Sequence, residues 1–294
     1  MLNKKIIMCY GKTNYTPGRY LEDGLRAIGV TVELYTRTID FAKIDLSDCA
    51  AVLFVESPSK PAIKVHNIDM AGVPKLFWVH HGENRITTNM TLAKKYDVDV
   101  VLMAHSLHLS KKFAVPTRFF PFAMAKDIFN VTTELKNRNI DIAIVGSNDS
   151  EIYQNRSIAT KKLKKVFGDN YNLSMNSRVY LQQLAKKYGD SKIVFNHSAN
   201  GIKSLNMRLF EGMGCGALVI SDYVPPMEEM FIDKKHYICF KNHDELIDKV
   251  DYYLNHLDEA QEIATAGYEH LLNHHTYEHR AQELLSIIEE FNGS

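Results

Sequence analysis

The fold of this 294-residue chain is decided by Asn200–Asp222, which reads NGIKSLNMRLFEGMGCGALVISD. The pattern predicts a loop, a short helix capped at Ser204, a glycine-rich stop and a buried parallel strand. Gly214 and Gly216 are expected to end the helix, because glycine tolerates the left-handed backbone found at helix C-termini. A unit built in this way can hold a nucleotide.

Two places on this unit carry the polar groups that would meet a nucleotide. The loop 201–204 would aim backbone N–H groups and the positive end of the helix dipole at a diphosphate, and Lys203 adds a full charge. Glu211 lies about two turns further along, roughly 10 Å at 1.5 Å per residue. Its carboxylate accepts hydrogen bonds only, which suits the two adjacent hydroxyls of a ribose. On spacing alone, a surface glutamate on an amphipathic helix is an equal alternative.

Composition narrows the class of protein. The chain is 45% hydrophobic, and its 35 basic and 35 acidic residues give a formal net charge of zero, which argues against a general nucleic-acid binder. No segment has the roughly 18 apolar residues of a membrane helix, and the N-terminal apolar run is too short for a signal peptide. Four scattered cysteines fit a reducing compartment, so a cytoplasmic location is expected.

Apolar strands alternate with helical patterns along the whole chain, which predicts an α/β protein. The first series of strands is expected near 5–10, 31–35, 51–55, 75–80, 99–104 and 118–120. The second is expected near 141–145, 171–174, 193–196, 217–220 and 237–240. The predicted organisation is an N-terminal Rossmann-like domain at 1–125, a linker at 126–139, a C-terminal Rossmann-like domain at 140–274 and a last helix at 275–294. A return of this helix to the first domain is left open as an alternative.

Several segments resemble glycosyltransferases of the GT-B architecture, related to group 1 glycosyltransferases, and within them the CgeB-like branch. In the C-terminal half the similar segments are 141–147 followed by Arg156, 208–216, 221–222 with 227–231, and 275–281. In the N-terminal half, 121–129 is similar to the crossover segment of related sugar transferases. The resemblance implies two Rossmann-like domains that face each other across a cleft, with ligands beyond the carboxyl ends of the strands.

The resemblance also implies an activity and a donor site. It implies hexosyl transfer from a nucleotide-sugar, expected to be a UDP-sugar, to an acceptor hydroxyl, without a metal or other cofactor. It implies donor contacts for Arg156, Lys203, Ser204 and Glu211. The similar segments add Gly146, Ser147 and Arg208 as candidate donor contacts, and His197 is a further candidate because it follows a strand of the second domain. One departure matters: many retaining relatives carry two glutamates eight positions apart, and here Lys203 stands eight positions before Glu211.

Two loops of the first domain supply further candidates. His80 and His81 follow a strand whose end should open on the site, so one of them would contact the donor sugar or act as a base. His81 is favoured, and a pair of ordinary polar loop residues is the alternative. The other loop, at 11–15, lacks the Gly-x-Gly-x-x-Gly spacing of a dinucleotide-binding loop. Its candidate acceptor contacts are Lys12, Asn14 and Tyr15.

Other interpretations stay open at this stage. Arg208 lies three positions before Glu211, so a helix salt bridge competes with a phosphate contact. His197 borders the donor or is a structural histidine. His275 and His279 have metal-ligand spacing, but helix-end capping and packing is preferred. Two other functions compete with transfer: a nucleotide-sugar epimerase on the same fold, and a nucleotide-binding protein without catalysis. The acceptor is not predicted.

Overall fold

The structure is a computed structural model that describes residues 5–146, 151–176, 178–200 and 205–292. Its strands are β1 (Lys5–Cys9), β2 (Val32–Tyr35), β3 (Thr38–Asp40), β4 (Cys49–Val55), β5 (Lys64–His66), β6 (Lys75–Val79), β7 (Val100–Met103), β8 (Thr117–Phe119), β9 (Ile140–Val145), β10 (Leu173–Asn176), β11 (Ser191–Asn196), β12 (Leu218–Asp222) and β13 (Ile238–Phe240). Its helices are α1 (Pro17–Ala27), α2 (Ile86–Lys95), α3 (Gln154–Phe167), α4 (Leu181–Gly189), α5 (Met207–Gly214), α6 (His243–Asn255), α7 (Leu257–His274) and α8 (Tyr277–Asn292).

The chain divides into two compact units, which we call unit 1 and unit 2. Unit 1 contains the described residues up to Pro121 together with α8, and unit 2 contains Phe122–Thr276. Across the residues that the structure describes, no helix is both long and apolar enough to span a membrane.

Unit 1 is built on a six-stranded sheet in the order β2-β1-β4-β6-β7-β8, with every pair of neighbours parallel. All residues of β4 and β6 are buried, as expected for central strands covered on both faces. Helix α8 packs on α1 within this unit. Gly24 permits the close approach, because a Cβ at this position would lie 2.5 Å from the Tyr277 carbonyl oxygen.

Unit 2 is built on a five-stranded parallel sheet in the order β10-β9-β11-β12-β13. The carboxyl ends of β9, β11 and β12 lie next to each other at one edge of the sheet. The residues that follow these strands therefore meet in space although they are far apart in the sequence. In open parallel sheets this edge is where ligands bind.

The α/β class and the order of the elements are as predicted. Strand β10 begins at Leu173, two residues later than expected. The small parallel pair β3 and β5 was not predicted, because each strand has only three residues and no clear alternation.

Helix α5 begins later than the sequence suggested. Its N-cap residue is Asn206, rather than the predicted Ser204, which lies outside the described residues. Leu205 is 2% exposed and brings the chain into the core before the helix starts. The helix ends at Gly214 as predicted, and Gly216 then has a φ of +61°, which a glycine adopts without strain.

The segment predicted to be a linker, 126–139, is part of unit 2 and is held within it by Arg138. This side chain is 5% exposed, and its guanidinium donates hydrogen bonds to four backbone carbonyl oxygens at 2.8 to 3.2 Å. The acceptors are the carbonyls of Thr133, Tyr188, Ser191 and Cys215. Burial lowers the pKa of Arg138 to about 10, so the group stays charged at neutral pH. Arg138 thus connects the segment to the last turn of α4, the first residue of β11 and the residue that follows α5.

We expect Arg138→Met to lower the free energy of unfolding of the protein by about 3 kcal/mol or more, because four buried carbonyls lose a charged donor. Chemical denaturation followed by circular dichroism measures this change. Lys136→Met is the matched control: its side chain is 66% exposed in the same segment, and a change within about 0.5 kcal/mol is expected. Equal stability of the two variants would contradict the assignment.

Candidate functional site

Two arginines converge on Gly146, the residue that follows β9. Gly146 has a φ of +127°, and a Cβ placed there would lie 2.9 Å from Arg208 Nη1 and 3.4 Å from Arg156 Nη1. Both guanidinium groups therefore lie against the same backbone position. Burial, and after it the charge of Arg208, lowers the pKa of Arg156 to about 10. Two cations held together in this way repel each other, so the arrangement suits an anion with more than one charge.

Arg156 is held in place by the aromatic ring of Tyr153. It lies in the first turn of α3 and is 4% exposed. Its guanidinium carbon lies 4.0 Å from the centre of the Tyr153 ring, which is the geometry of a cation–π contact. A planar guanidinium fixed on an aromatic face presents its N–H groups in a constant direction, as phosphate recognition requires.

Arg208, in the first turn of α5, is tied to the end of β11. Its Nε donates to Asn196 Oδ1 at 3.3 Å, and its Nη2 donates to the His197 carbonyl oxygen at 3.4 Å. In the described part of the chain it makes no ion pair with Glu211, so the helix salt bridge considered from the sequence is not formed. Arg208 instead points to the edge where β9 and β11 end.

Glu211 is buried rather than on the surface, which excludes the alternative of an exposed helix residue. It is 8% exposed, and its carboxylate makes no hydrogen bond with the described residues. Burial raises the pKa of Glu211 to about 7, although the charge of Arg208 acts in the opposite direction. The ionised carboxylate of Glu211 can accept hydrogen bonds from the hydroxyl groups of a ligand, because no described neighbour donates a hydrogen bond to it.

A second buried polar group lies near Glu211. Tyr188, on α4, is fully buried, and its hydroxyl has no hydrogen-bond partner among the described residues. Burial, and after it the charge of Glu211, raises the pKa of Tyr188. The sequence offered no signal for this residue, because a tyrosine on a helix is most often part of a core.

The loop after β11 is fastened to the end of β12. Ser198 donates from its backbone N–H to Asp222 Oδ1 at 2.9 Å, and its hydroxyl also donates to this carboxylate. His197 is 8% exposed; its Nδ1 lies 2.8 Å from the Ser198 carbonyl oxygen and 3.5 Å from Asp222 Oδ2. The structure therefore places Gly146, Arg156, His197 and Arg208 at one edge of the sheet. Three other predicted donor contacts, Ser147, Lys203 and Ser204, lie outside the described residues.

We expect Gly146→Ala to lower the free energy of unfolding by about 1 to 3 kcal/mol, because an alanine at this φ is strained. It should also weaken nucleotide binding, since the new Cβ displaces Arg208. Thermal denaturation and calorimetric titration measure the two effects. Gly29→Ala is the control: Gly29 has a φ of +87° with no atom within 4 Å of the added Cβ, so it adds strain without touching the site. Equal nucleotide binding by both variants would contradict this prediction.

In unit 1 the two predicted histidines differ in their surroundings. His80 is 7% exposed, and burial lowers its pKa to about 3, so it stays neutral at ordinary pH. His81 has a side chain that is 39% exposed. Both backbone N–H groups donate to Glu56 Oε2, at 2.6 Å and 2.8 Å. Glu56 was missed by the sequence analysis, although it is the first polar residue after the apolar strand β4.

In the other predicted loop of unit 1, at 11–15, Lys12 already forms an ion pair within the unit. Lys12 Nζ lies 2.8 Å from Glu22 Oε2, and this glutamate also accepts a hydrogen bond of 2.6 Å from the Tyr10 hydroxyl. The charge of Lys12 is therefore largely neutralised within the unit. Asn14 and Tyr15 are exposed.

No metal centre is evident in the residues that the structure describes: they contain no group of three or more His, Cys, Asp or Glu side chains arranged to hold a metal ion. His275 lies 5.1 Å from His270 and 5.5 Å from Phe231, measured between ring centroids. It therefore belongs to an aromatic cluster within unit 2.

Solved structures of other proteins share this fold. Sucrose-phosphate synthase from Thermosynechococcus elongatus is 12% identical, with a TM-score of 0.64 over 99% of this chain and 100% of its own. An alpha-glucosyltransferase in complex with UDP-glucose and DNA containing an abasic site is 12% identical, with a TM-score of 0.69 over 97% of this chain and 99% of its own. HepE of Anabaena, in complex with UDP and glucose, is 10% identical, with a TM-score of 0.64 over 97% of this chain and 100% of its own. These similarities establish the GT-B fold, with two Rossmann-like domains.

A family comparison covers the segment that holds the arginines and Glu211. No curated protein matches the sequence. The model of a family described as glycosyl transferase-like matches residues 126–286, which is more than half of the chain. The matched residues include Gly146, Arg156, Arg208 and Glu211. The chain therefore belongs to the glycosyl transferase-like family.

Proposed function

We propose that this protein transfers a hexose from a UDP-sugar to an acceptor hydroxyl. The observation that carries the proposal is the convergence of Arg156 and Arg208 on Gly146, at the carboxyl edge of the unit 2 sheet. A diphosphate would relieve the repulsion between the two cations and bring the nucleotide within reach of the rest of the edge. The family favours transfer over the epimerase considered from the sequence.

In this proposal the two arginines bind the diphosphate and stabilise it as a leaving group. As the bond between the anomeric carbon and the phosphate oxygen breaks, the electron pair leaves with the nucleoside diphosphate. Fixed positive groups stabilise this developing charge more than they stabilise the ground state, which is what accelerates a reaction. Because the arginines supply this charge, the reaction is proposed to need no metal.

Glu211 is proposed to accept hydrogen bonds from the two ribose hydroxyls. A buried carboxylate with unused lone pairs gains most from such a diol, since charge-assisted hydrogen bonds are the stronger ones. Ser147, His197, Lys203 and Ser204 keep their proposed donor contacts.

The choice of UDP rests on relatives of the same fold. The alpha-glucosyltransferase was solved with UDP-glucose, and HepE was solved with UDP and glucose. The CgeB-like branch remains our proposal for the subfamily, on the segments quoted above. The first glutamate of many retaining relatives is replaced by Lys203, so stereochemistry is left to experiment.

The proposed division of the chain is an acceptor domain at 1–125, a linker at 126–139, a donor domain at 140–274 and a final helix at 275–294. The acceptor would bind to the first of these domains. His81 is favoured over His80 as the base, because His80 is buried and its pKa of about 3 makes it a weak proton acceptor. Asn14 and Tyr15 are better placed than Lys12 to meet an acceptor, because Glu22 already pairs with Lys12. A cytoplasmic location is part of the proposal, supported by four free cysteines.

A thermal-shift screen against UDP-, GDP-, ADP-, CDP- and dTDP-sugars tests the donor. A ligand that binds the folded state alone stabilises it by about 2.7 kcal/mol at 100 times its dissociation constant. We expect UDP-sugars to raise the melting temperature most. No shift with any of the five would contradict the proposed function.

Removing divalent metals should leave transfer unchanged. The measurement is UDP release from UDP-glucose with and without excess EDTA, in protein dialysed against the chelator. A loss of activity that added magnesium or manganese restores would contradict the proposal that the arginines supply the positive charge.

A further inference from the structure

Glu56 is a buried carboxylate that directly follows β4, at the carboxyl edge of the unit 1 sheet. It is 5% exposed. Burial alone would raise the pKa of Glu56, but its contacts with His81 and His80 together lower it to about 2. The group is therefore ionised at every pH at which the protein would work, and it needs positive or N–H partners around it.

Glu56 is surrounded by the loop that follows β6. Its Oε2 accepts the backbone N–H groups of His80 and His81. Its Oε1 accepts a hydrogen bond of 2.9 Å from Arg85 Nε and lies 3.3 Å from His81 Nδ1. One carboxylate thus holds the backbone of His81 by a hydrogen bond and lies beside its ring.

The two ring nitrogens of His81 face different surroundings. Nδ1 is buried and lies 3.3 Å from Glu56 Oε1 without a hydrogen bond to any described residue, whereas the side chain as a whole is 39% exposed. The exposed edge of the ring therefore carries Nε2. A carboxylate beside Nδ1 favours the tautomer with the proton on Nδ1, because a carboxylate can only accept. Nε2 is then left with a lone pair directed away from Glu56.

We propose that Glu56 is a positioning residue that holds His81 in the Nδ1–H tautomer, so that Nε2 serves as the proton acceptor for the acceptor hydroxyl. The proposal rests on the proposed function and deepens it. In the step, the hydroxyl O–H bond breaks and its proton goes to Nε2. The hydroxyl oxygen forms a bond to the anomeric carbon as the bond to the diphosphate breaks. A base oriented by a third group is a recurrent catalytic arrangement.

The tautomer can be measured without any substrate. In protein labelled with 15N-histidine, the His81 signals are identified by their loss in His81→Gln. We expect a protonated Nδ1 and an unprotonated Nε2 at pH 8, and loss of this preference in Glu56→Gln. A proton on Nε2 in the wild-type protein would overturn the proposal.

The kinetic test uses UDP-glucose, measured as UDP release to water and to any acceptor found. We expect Glu56→Gln to lower kcat at least about tenfold, with little change in the KM for UDP-glucose. In the His81→Gln background the same change should alter kcat by less than about threefold, because Glu56 acts through His81. An equal loss of kcat in both backgrounds would overturn the proposal, since it would indicate a structural role.

Arg85→Met is the matched control. It removes a group that contacts the same Glu56 oxygen but leaves the contact with the His81 ring. We expect the Nδ1–H tautomer to persist in this variant; its loss would overturn the assignment to Glu56. Failure of the proposed function gives a different result: UDP-glucose would not shift the melting temperature of the wild-type protein, while the tautomer measurement would still decide the present inference.

Discussion

Replacing Arg156 with alanine should lower the rate of sugar transfer by about 100- to 1,000-fold, the loss typical when one fixed donor to a developing negative charge is removed. The reason is the position of Arg156 beside Gly146 and Arg208, where it would meet the leaving diphosphate. Its burial, at 4% exposed, strengthens this interaction, because water screens it little. Donor affinity should fall less than kcat, since the charge on the leaving group grows in the transition state.

Initial rates of UDP release, together with calorimetric binding of UDP-glucose, separate these two effects. Lys164→Ala is the control, because Lys164 is exposed on the same helix and changes the net charge equally. Arg156→Lys adds a second comparison: it keeps the charge but loses the planar fork, and an intermediate rate is expected. Wild-type turnover in Arg156→Ala would contradict the role assigned to this residue.

Replacing Glu211 with glutamine should have two opposite effects. The affinity for a UDP-sugar should fall by about 10- to 100-fold, which corresponds to the 1.5 to 3 kcal/mol of hydrogen bonds to a charged group. The free energy of unfolding should at the same time increase at pH 8. The second effect follows from burial, because the folded protein holds the ionised form of Glu211 at a cost.

The sign of this pH dependence is fixed by the raised pKa. Burial raises the pKa of Glu211 from 4.5 to about 7. Below pH 4.5 the carboxyl is protonated in both the folded and the unfolded chain, so it costs nothing. The cost grows as the pH rises from 4.5 to 7 and is complete above that, at about 3 kcal/mol. Glu211→Gln should therefore be more stable than the wild type at pH 8, and the difference should disappear near pH 4.5.

Urea denaturation at pH 4.5 and pH 8 measures the stability difference, and calorimetry measures the affinity for UDP-glucose. Glu262→Gln, an exposed change on α7 of the same unit, should show neither effect. If Glu211→Gln were less stable than the wild type at pH 8 and bound UDP-glucose normally, Glu211 would be a structural residue.

Local patterns predicted the parts of this fold that depend on neighbouring residues in the sequence. The apolar runs of β4, β6, β9 and β12 were recognisable because strands covered on both faces are continuously apolar. Gly214 and Gly216 marked the end of α5 for a similar local reason. The start of α5 was misplaced because the buried side chain of Leu205, a tertiary contact, delays the helix to Met207.

The site depended more on contacts between distant residues. The spacing in the chain singled out Glu211, but its burial against other elements of unit 2 was not readable from a single helix. Arg208 had two competing interpretations, which its hydrogen bonds to Asn196 and His197 at the end of β11 separate. The first polar residue after each buried strand would have been a better guide, since this rule identifies Glu56.

The central claim is that unit 2 holds a nucleoside diphosphate between Arg156, Arg208 and Glu211. The most direct measurement is a crystal structure of the protein with UDP. We predict diphosphate oxygens within hydrogen-bond distance of both guanidinium groups and ribose hydroxyls on the Glu211 carboxylate. UDP bound elsewhere, with the three side chains unchanged and no ligand between them, would contradict the account.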